Sequence, residues 1–286
     1  MFDLPDAGSS ETVADWIELV LAAGEPQLSR AKVSAIVEHE SGAEPSEAFL
    51  ADIWQELGDR ESRYSRQFFH CDGDMVHRSL EGEAPSEYIA LLLFSLYGVS
   101  DEHRTDPKIF ERLAAAAIRN YVQGKVFVFG WPVLPNVQVD IALRVKEVAS
   151  ATREKFAEAP AGRYKDRGVD VIAWRPFEEH AAGEHRSNQL VILTQCAAGK
   201  NWRQKTGQLP LKSWTQYVHW ACEPLTGFAV PSVIPETLWH DISRESEGVL
   251  FDRIRIVNLL SGGVEDEELS IHITEWVALE LAECSV

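Results

Sequence analysis

Several features that assign a sequence quickly are missing from this one. Its four cysteines, Cys71, Cys196, Cys222 and Cys284, stand far apart, with neither the paired spacing of a zinc site nor the density of a disulfide framework; they read as free thiols that mostly pack. No apolar run is long enough to span a membrane, and MFDLPDAGSS has neither a basic start nor an apolar signal core. A cytoplasmic protein with no membrane partner is therefore expected. Repeats and low-complexity segments are absent. The stretch AAGKN lacks the upstream glycine and the following Ser or Thr of a phosphate loop, and no G-x-S-x-G marks a serine nucleophile. His180 and His185 stand five apart in a polar loop without a third ligand. Positive charge is scarce as well: 27 Lys and Arg against 45 Asp and Glu leave a net charge of −18, which argues against a protein that coats nucleic acid nonspecifically.

That charge is unevenly spread. Residues 144–212 carry 13 Lys and Arg against 8 Asp and Glu, a net of +5, whereas residues 1–143 carry −13 and residues 213–286 carry −10. One basic segment thus sits in an acidic chain of 286 residues, long enough for one large domain or two modest ones.

The first hundred residues read as mainly helical. ETVADWIELVLAA and SEAFLADIWQEL repeat apolar residues at three and four, with Ser10 and Ser46 as N-caps. FFHCDGDMVHR suggests a hairpin around Asp72 and Gly73, and SEYIALLLFSLYG an apolar helix. The polar VSDEHRTDP marks a boundary, giving a helical interaction segment over 1–104 and a second domain over 105–286. The second opens with a helix capped by Asp106, started by Pro107 and closed by Gly124, with Phe110, Leu113, Ala114, Ala117, Ile118 and Tyr121 on one face and Glu111 on its flank. KVFVFGWPVLPN then reads as a strand, VQVDIALRVKEVASATREKFAEA as a helix, LKSWTQYVHWACE as a helix, and VLFDRIRIVNLL as a strand running into a helix. Alternating strands and helices of this kind predict an α/β layer architecture with helices on both faces of a mixed sheet.

Two strands carry the chemistry. GVDVIAW (168–174) and LVILTQ (190–195) are apolar on both faces, as central strands covered on each side are, yet each carries a polar residue. A carboxylate at Asp170 is costly in such a row unless a cation or several donors satisfy it, and a strand-end position paired to Arg167 or Lys165 would also account for it. If the strands pair, Asp170 and Gln195 meet at one end of the sheet. A carboxylate, an amide oxygen and a backbone carbonyl there form a hard oxygen site of the kind magnesium accepts, and Lys200 adds a cation for charge developing on a phosphate.

An acid on a preceding helix (Glu111 in FERLAAAAIRNYV), an aspartate in one strand (Asp170 in DRGVDVIAW), and a glutamine ahead of a lysine at the end of the next (Gln195 and Lys200 in LVILTQCAAGKNW) resemble the PD-(D/E)xK nuclease superfamily over about residues 107–260. Glutamine at the second acidic position is similar to the Mrr-like and Holliday-junction-resolvase-like branches. The resemblance implies a restriction-endonuclease-like core and a DNA phosphodiesterase in which Asp170, Glu111 and Gln195 hold Mg²⁺ or Mn²⁺ and a lysine assists the attacking water. It further implies a partner protein, or a second copy of the chain, in a bacterial restriction or anti-phage system. The family places its lysine two residues after the acid or glutamine; here that residue is Ala197, so Lys200 requires a bulge at Ala198 and Gly199, with Lys205 as a substitute and Glu147 and Glu154 as alternative helical acids. Arg167, Arg203, Lys205 and Lys212 are candidates to track a phosphate backbone. Two other readings stay open: a degenerate, nonenzymatic nucleic-acid-binding or scaffolding subunit, and an RNA-directed nuclease.

Overall fold

The computed structural model describes residues 2–79, 82–100, 102–103, 105–130, 139–158, 168–177 and 186–283. In its first part α1 (Ser10–Ala22) leads through β1 (Gln27–Ser29) into α2 (Arg30–Ser41) and α3 (Glu47–Arg63). The hairpin β2 (Phe69–Asp72) and β3 (Met75–Arg78) follows, then α4 (Ser86–Tyr97). The α1 cap is Ser9 rather than Ser10: Ser9 has extended backbone and its hydroxyl accepts from Thr12 N. Ser46 caps α3 in the same way. Gly73 turns the hairpin with a φ of 55°, and β1 adds an antiparallel third strand beside β3.

The second part continues with α5 (Pro107–Val122), β4 (Lys125–Val128), α6 (Ile141–Ala151), β5 (Lys155–Phe156), β6 (Val171–Arg175) and β7 (Leu190–Cys196). A 3₁₀ turn (Trp202–Lys205), α7 (Leu211–Tyr217), β8 (Val218–His219), β9 (Leu225–Ala229), α8 (Glu236–Ser246), β10 (Val249–Phe251), α9 (Arg253–Leu259) and α10 (Glu267–Glu283) complete it. Five strands form a mixed sheet in the order β10-β9-β7-β6-β4. β10, β9 and β7 run parallel to one another, while β6 is antiparallel to both β7 and β4.

The apolar residues of β6 and β7 are divided between the two faces as strand alternation requires. Val171, Ala173 and Ile192 join the core built with α1, α4, α5, α9 and α10. Ile172, Trp174, Val191 and Leu193 join a second core under α6 and α7. Two of the expected helices are shorter than their apolar pattern. α7 stops at Tyr217 because Val218 turns extended (φ −130°, ψ 128°), and Val218 and His219 pair with β5. α6 ends at Ala151, after which Arg153 takes a positive φ of 58°.

α5 is capped by Asp106, whose side chain accepts from Lys108 N, and has proline in its first turn. Its C-cap is Gln123, left-handed at φ 52°. Gly124 has a different duty from the one its place in the sequence suggests: a Cβ there would collide with the Trp174 carbonyl, so the glycine lets β4 lie against β6. Tyr121 is half exposed and meets Phe251 edge-on, while Glu111, expected on the flank, is buried.

Residues 1–104 and 105–286 share the larger core. A buried ionic cluster also joins them: Arg60 of α3 and Arg253 of α9 both bond to Asp15 and Glu18 of α1. Tyr64 and Tyr88 donate to Glu18, and Ser95 to Asp15.

Candidate active site

The C-terminal end of β7, the start of β6 and the first turns of α5 meet around one cavity of about 440 Å³, lined among others by Glu111, Gly168, Asp170, Gln195, Asn201 and Lys205. Asp170 sits one residue ahead of β6. Its backbone N–H donates to the Thr194 carbonyl (2.9 Å), and its own carbonyl accepts from Phe129 and Gly130 (2.6 and 3.0 Å). Its carboxylate Oδ2 accepts from the Cys196 N–H at 2.7 Å. The strand pairing thereby fixes the backbone and a main-chain donor fixes the side chain.

Glu111 approaches the same place from α5. A Cβ on Gly130 would fall 2.8 Å from Asp170 Oδ1 and closer still to Glu111 Oε2. Oxygens of both carboxylates therefore face a single point that is free only because residue 130 is glycine. Glu111 Oε2 also forms an ion pair with Lys108, three residues earlier on the helix, and both side chains are 9% exposed. Gln195 lines the cavity from β7; its Oε1 is buried without a hydrogen-bond partner, and its Nε2 lies 3.9 Å from where a Gly168 Cβ would be.

Among the described residues no group of three or more His, Cys, Asp and Glu side chains is arranged to hold a metal ion. The donor set has a different composition: two carboxylates converging on a cradle that a Cβ would fill, with the orphaned amide oxygen of Gln195 on a residue lining the same cavity. One or two carboxylates with remaining positions left to water and phosphate is the provision magnesium accepts, so the residues fit a divalent cation.

The cations are placed differently from the sequence expectation. Lys200 is exposed and packs on the end of α4, its Cγ 3.3 Å from where a Gly98 Cβ would be. It lines a second cavity, of about 430 Å³, with Arg203, Arg60 and Asp15. Ala198 and Gly199 do depart from the strand, but they turn the lysine to the far side of the loop. Lys205 lines the site cavity, Lys212 is exposed on α7, and Arg167 lies outside the described residues, as do Arg163, Lys165, His180 and His185. Glu147 is exposed on α6, and Glu154 accepts from the backbone of Asn188 and Ala221. Trp202 is buried against Phe228 and packs.

Two residues of the site carried no flag in the sequence, Lys108 and Gly130, while Cys196 reads there only as a packing thiol. For Lys108 a signal existed, the i, i+3 spacing to Glu111, joined to a cation in a helix's first turn, where the dipole disfavours it. Burial pushes the Cys196 thiol well above its ordinary range; the Asp170 and Glu111 carboxylates push it further and Lys108 opposes them. The protonated thiol is consequently a packing group at neutral pH.

No described helix is long and apolar enough to cross a membrane. No family model matches the chain, and no curated protein matches it. Among solved structures, one of restriction endonuclease FokI is similar over 91% of this chain and 46% of that one, at 8% identity and a TM-score of 0.23. A structure of restriction endonuclease FokI bound to DNA is similar over 92% and 47%, at 9% identity and a TM-score of 0.21. The chain thus spans about half the length of the solved chains it matches.

Proposed function

We propose that the protein is a divalent-metal-dependent nuclease that hydrolyses DNA phosphodiester bonds on a restriction-endonuclease-like core. The observation that carries this reading is the meeting of Glu111 and Asp170 over Gly130, at a cavity also lined by Gln195 and Lys205. Asp170 and Glu111 would hold Mg²⁺ or Mn²⁺, with the Gln195 Oε1 as the third protein oxygen. Bound there, the cation supplies Lewis-acid stabilisation of a phosphoryl group. The Cys196 N–H holds the Asp170 carboxylate in place, and Lys205, at the same cavity, binds the phosphate backbone. A cytoplasmic location is proposed from the lack of an apolar run long enough to span a membrane, and action with a partner protein or second copy in a restriction or anti-phage system rests on the resemblance of the motif alone.

The test is cleavage of supercoiled plasmid with Mg²⁺ or Mn²⁺. Wild type converts it to nicked or linear forms, while Asp170→Asn and Glu111→Gln, each folded by circular dichroism, lose at least about 100-fold in rate. Undiminished cutting by both variants removes these residues from the reaction. The nonenzymatic alternative, which Lys200 across the loop favours but Lys205 at the site cavity does not, predicts DNA binding without cleavage under any metal condition; faster cutting of RNA than of duplex DNA would point to the RNA-directed reading.

A further inference from the structure

Lys108 is a costly residue where it stands. It is in the first turn of α5, where the aligned peptide dipoles repel a cation, and its side chain is 9% exposed, so its ammonium is largely stripped of water. What offsets both costs is the ion pair with Glu111 Oε2. That same oxygen faces the point over Gly130 that Asp170 Oδ1 also faces. Lys108 does not line the cavity, whereas Glu111 does; the lysine reaches the site from behind, through the carboxylate it neutralises. Among the described residues Lys200 and Lys205 make no such pair: the first lines the second cavity and the second lines the site cavity from the 3₁₀ turn.

We propose that Lys108 is the resident counter-ion of the site, pairing with Glu111 until a divalent cation competes for that carboxylate, and so setting how much metal the protein requires. The proposal rests on the reading that Glu111 and Asp170 hold a divalent cation. Lys108 acts through Glu111 and is a positioning residue. Its ammonium both occupies a metal-binding oxygen and repels an arriving cation, so its removal strengthens metal binding. Damage to the fold at a buried position would do the opposite, which makes the direction of the change informative.

The experiment is calorimetric titration of the full chain with Mn²⁺, comparing wild type with Lys108→Met, Lys108→Arg and Lys200→Ala, each checked by circular dichroism and thermal melting. Lys108→Met, close in volume and without charge, is expected to bind Mn²⁺ about 10-fold more tightly. Lys108→Arg, which keeps the charge, and Lys200→Ala are expected to stay within about 2-fold of wild type. Combining Lys108→Met with Glu111→Gln is expected to abolish the gain, because the two act through one contact. Unchanged or weaker binding by a folded Lys108→Met overturns the proposal, as does an equal gain in Lys200→Ala, or the absence of Mn²⁺ binding in both wild type and Lys108→Met. If Lys108→Met does not fold, Lys108→Gln replaces it with the same expectation. The titration is independent of cleavage: plasmid cutting by wild type with no gain in Lys108→Met defeats this proposal and leaves the nuclease reading standing. A gain without cutting does the reverse.

Discussion

At residue 130 the chain has no room for a side chain, and the reason is chemical as well as steric. A methyl there would sit between two carboxylates, taking the place a cation would take. Gly130→Ala is therefore expected to weaken Mn²⁺ binding at least about 10-fold, more than its effect on melting explains, because the lost space is the site's own. Calorimetry and thermal melting on the same sample separate the two effects, and unchanged Mn²⁺ affinity would place the metal elsewhere. Asp15 shows the structural use of a buried carboxylate in the same protein. Burial pushes its pKa up, but Arg253 and Arg60, with hydrogen bonds from Arg253 and Ser95, outweigh that and hold it at about 2, below its ordinary 3.8. The folded value is depressed, so its contribution of about 2 kcal/mol is present above pH ~4 and is lost as pH falls toward ~2. Urea denaturation across that window should show a steeper acid loss of stability in wild type than in Asp15→Asn; equal slopes would mean that the cluster does not depress Asp15.

Among the elements, the loop after β7 separates two cavities. Asn201 and Lys205 line the site cavity, Lys200, Trp202 and Arg203 line the other, and Ala198 and Gly199 border both. If DNA lies over the site cavity, Lys205→Ala should lower the slope of log K against log salt by about 0.9, one phosphate's worth, while Arg203→Ala leaves it unchanged. Equal effects of the two would mean that the nucleic acid spans both sides of the loop. This two-sidedness also explains what the sequence could convey. β6, β7 and α5 were legible from apolar runs and the Asp106–Pro107 start, because each is fixed by local pattern. The approach of Asp170 and Gln195 at one end of the sheet was legible once the strands were read as paired, whereas the arrival of Glu111 at the same cavity was not, because helical spacing puts it on a flank that serves solvent and site equally. The direction of Lys200 was not legible, since spacing along a chain does not say to which side a loop turns. Lys108 was missed because its importance lies in burial, and β5 and β8 because two-residue strands are specified by their partners rather than by a period.

In the whole molecule, the boundary near residue 104 is visible as polar composition but does not divide the core. α4 contributes Leu92, Phe94 and Leu96 to the cluster that holds Phe110, Ile118, Ile254 and Trp276, and Arg253 is fully buried with Asp15 and Glu18 as its ionic partners. Removing residues 1–104 would expose that apolar surface and strand Arg253 without either carboxylate. Breaking a buried ionic cluster by deleting one side costs about 3–5 kcal/mol by itself, a large part of the 5–15 kcal/mol that stabilises a typical domain. The fragment 105–286 is therefore expected to be insoluble, or compact without cooperative unfolding, and Arg253→Met to recover solubility only in part, because the exposed face of the larger core remains. Calorimetric melting of the fragment decides the matter. A sharp transition comparable to that of the full chain would show that the C-terminal part carries a sufficient core of its own, and that the first hundred residues cover it without being needed for it to fold.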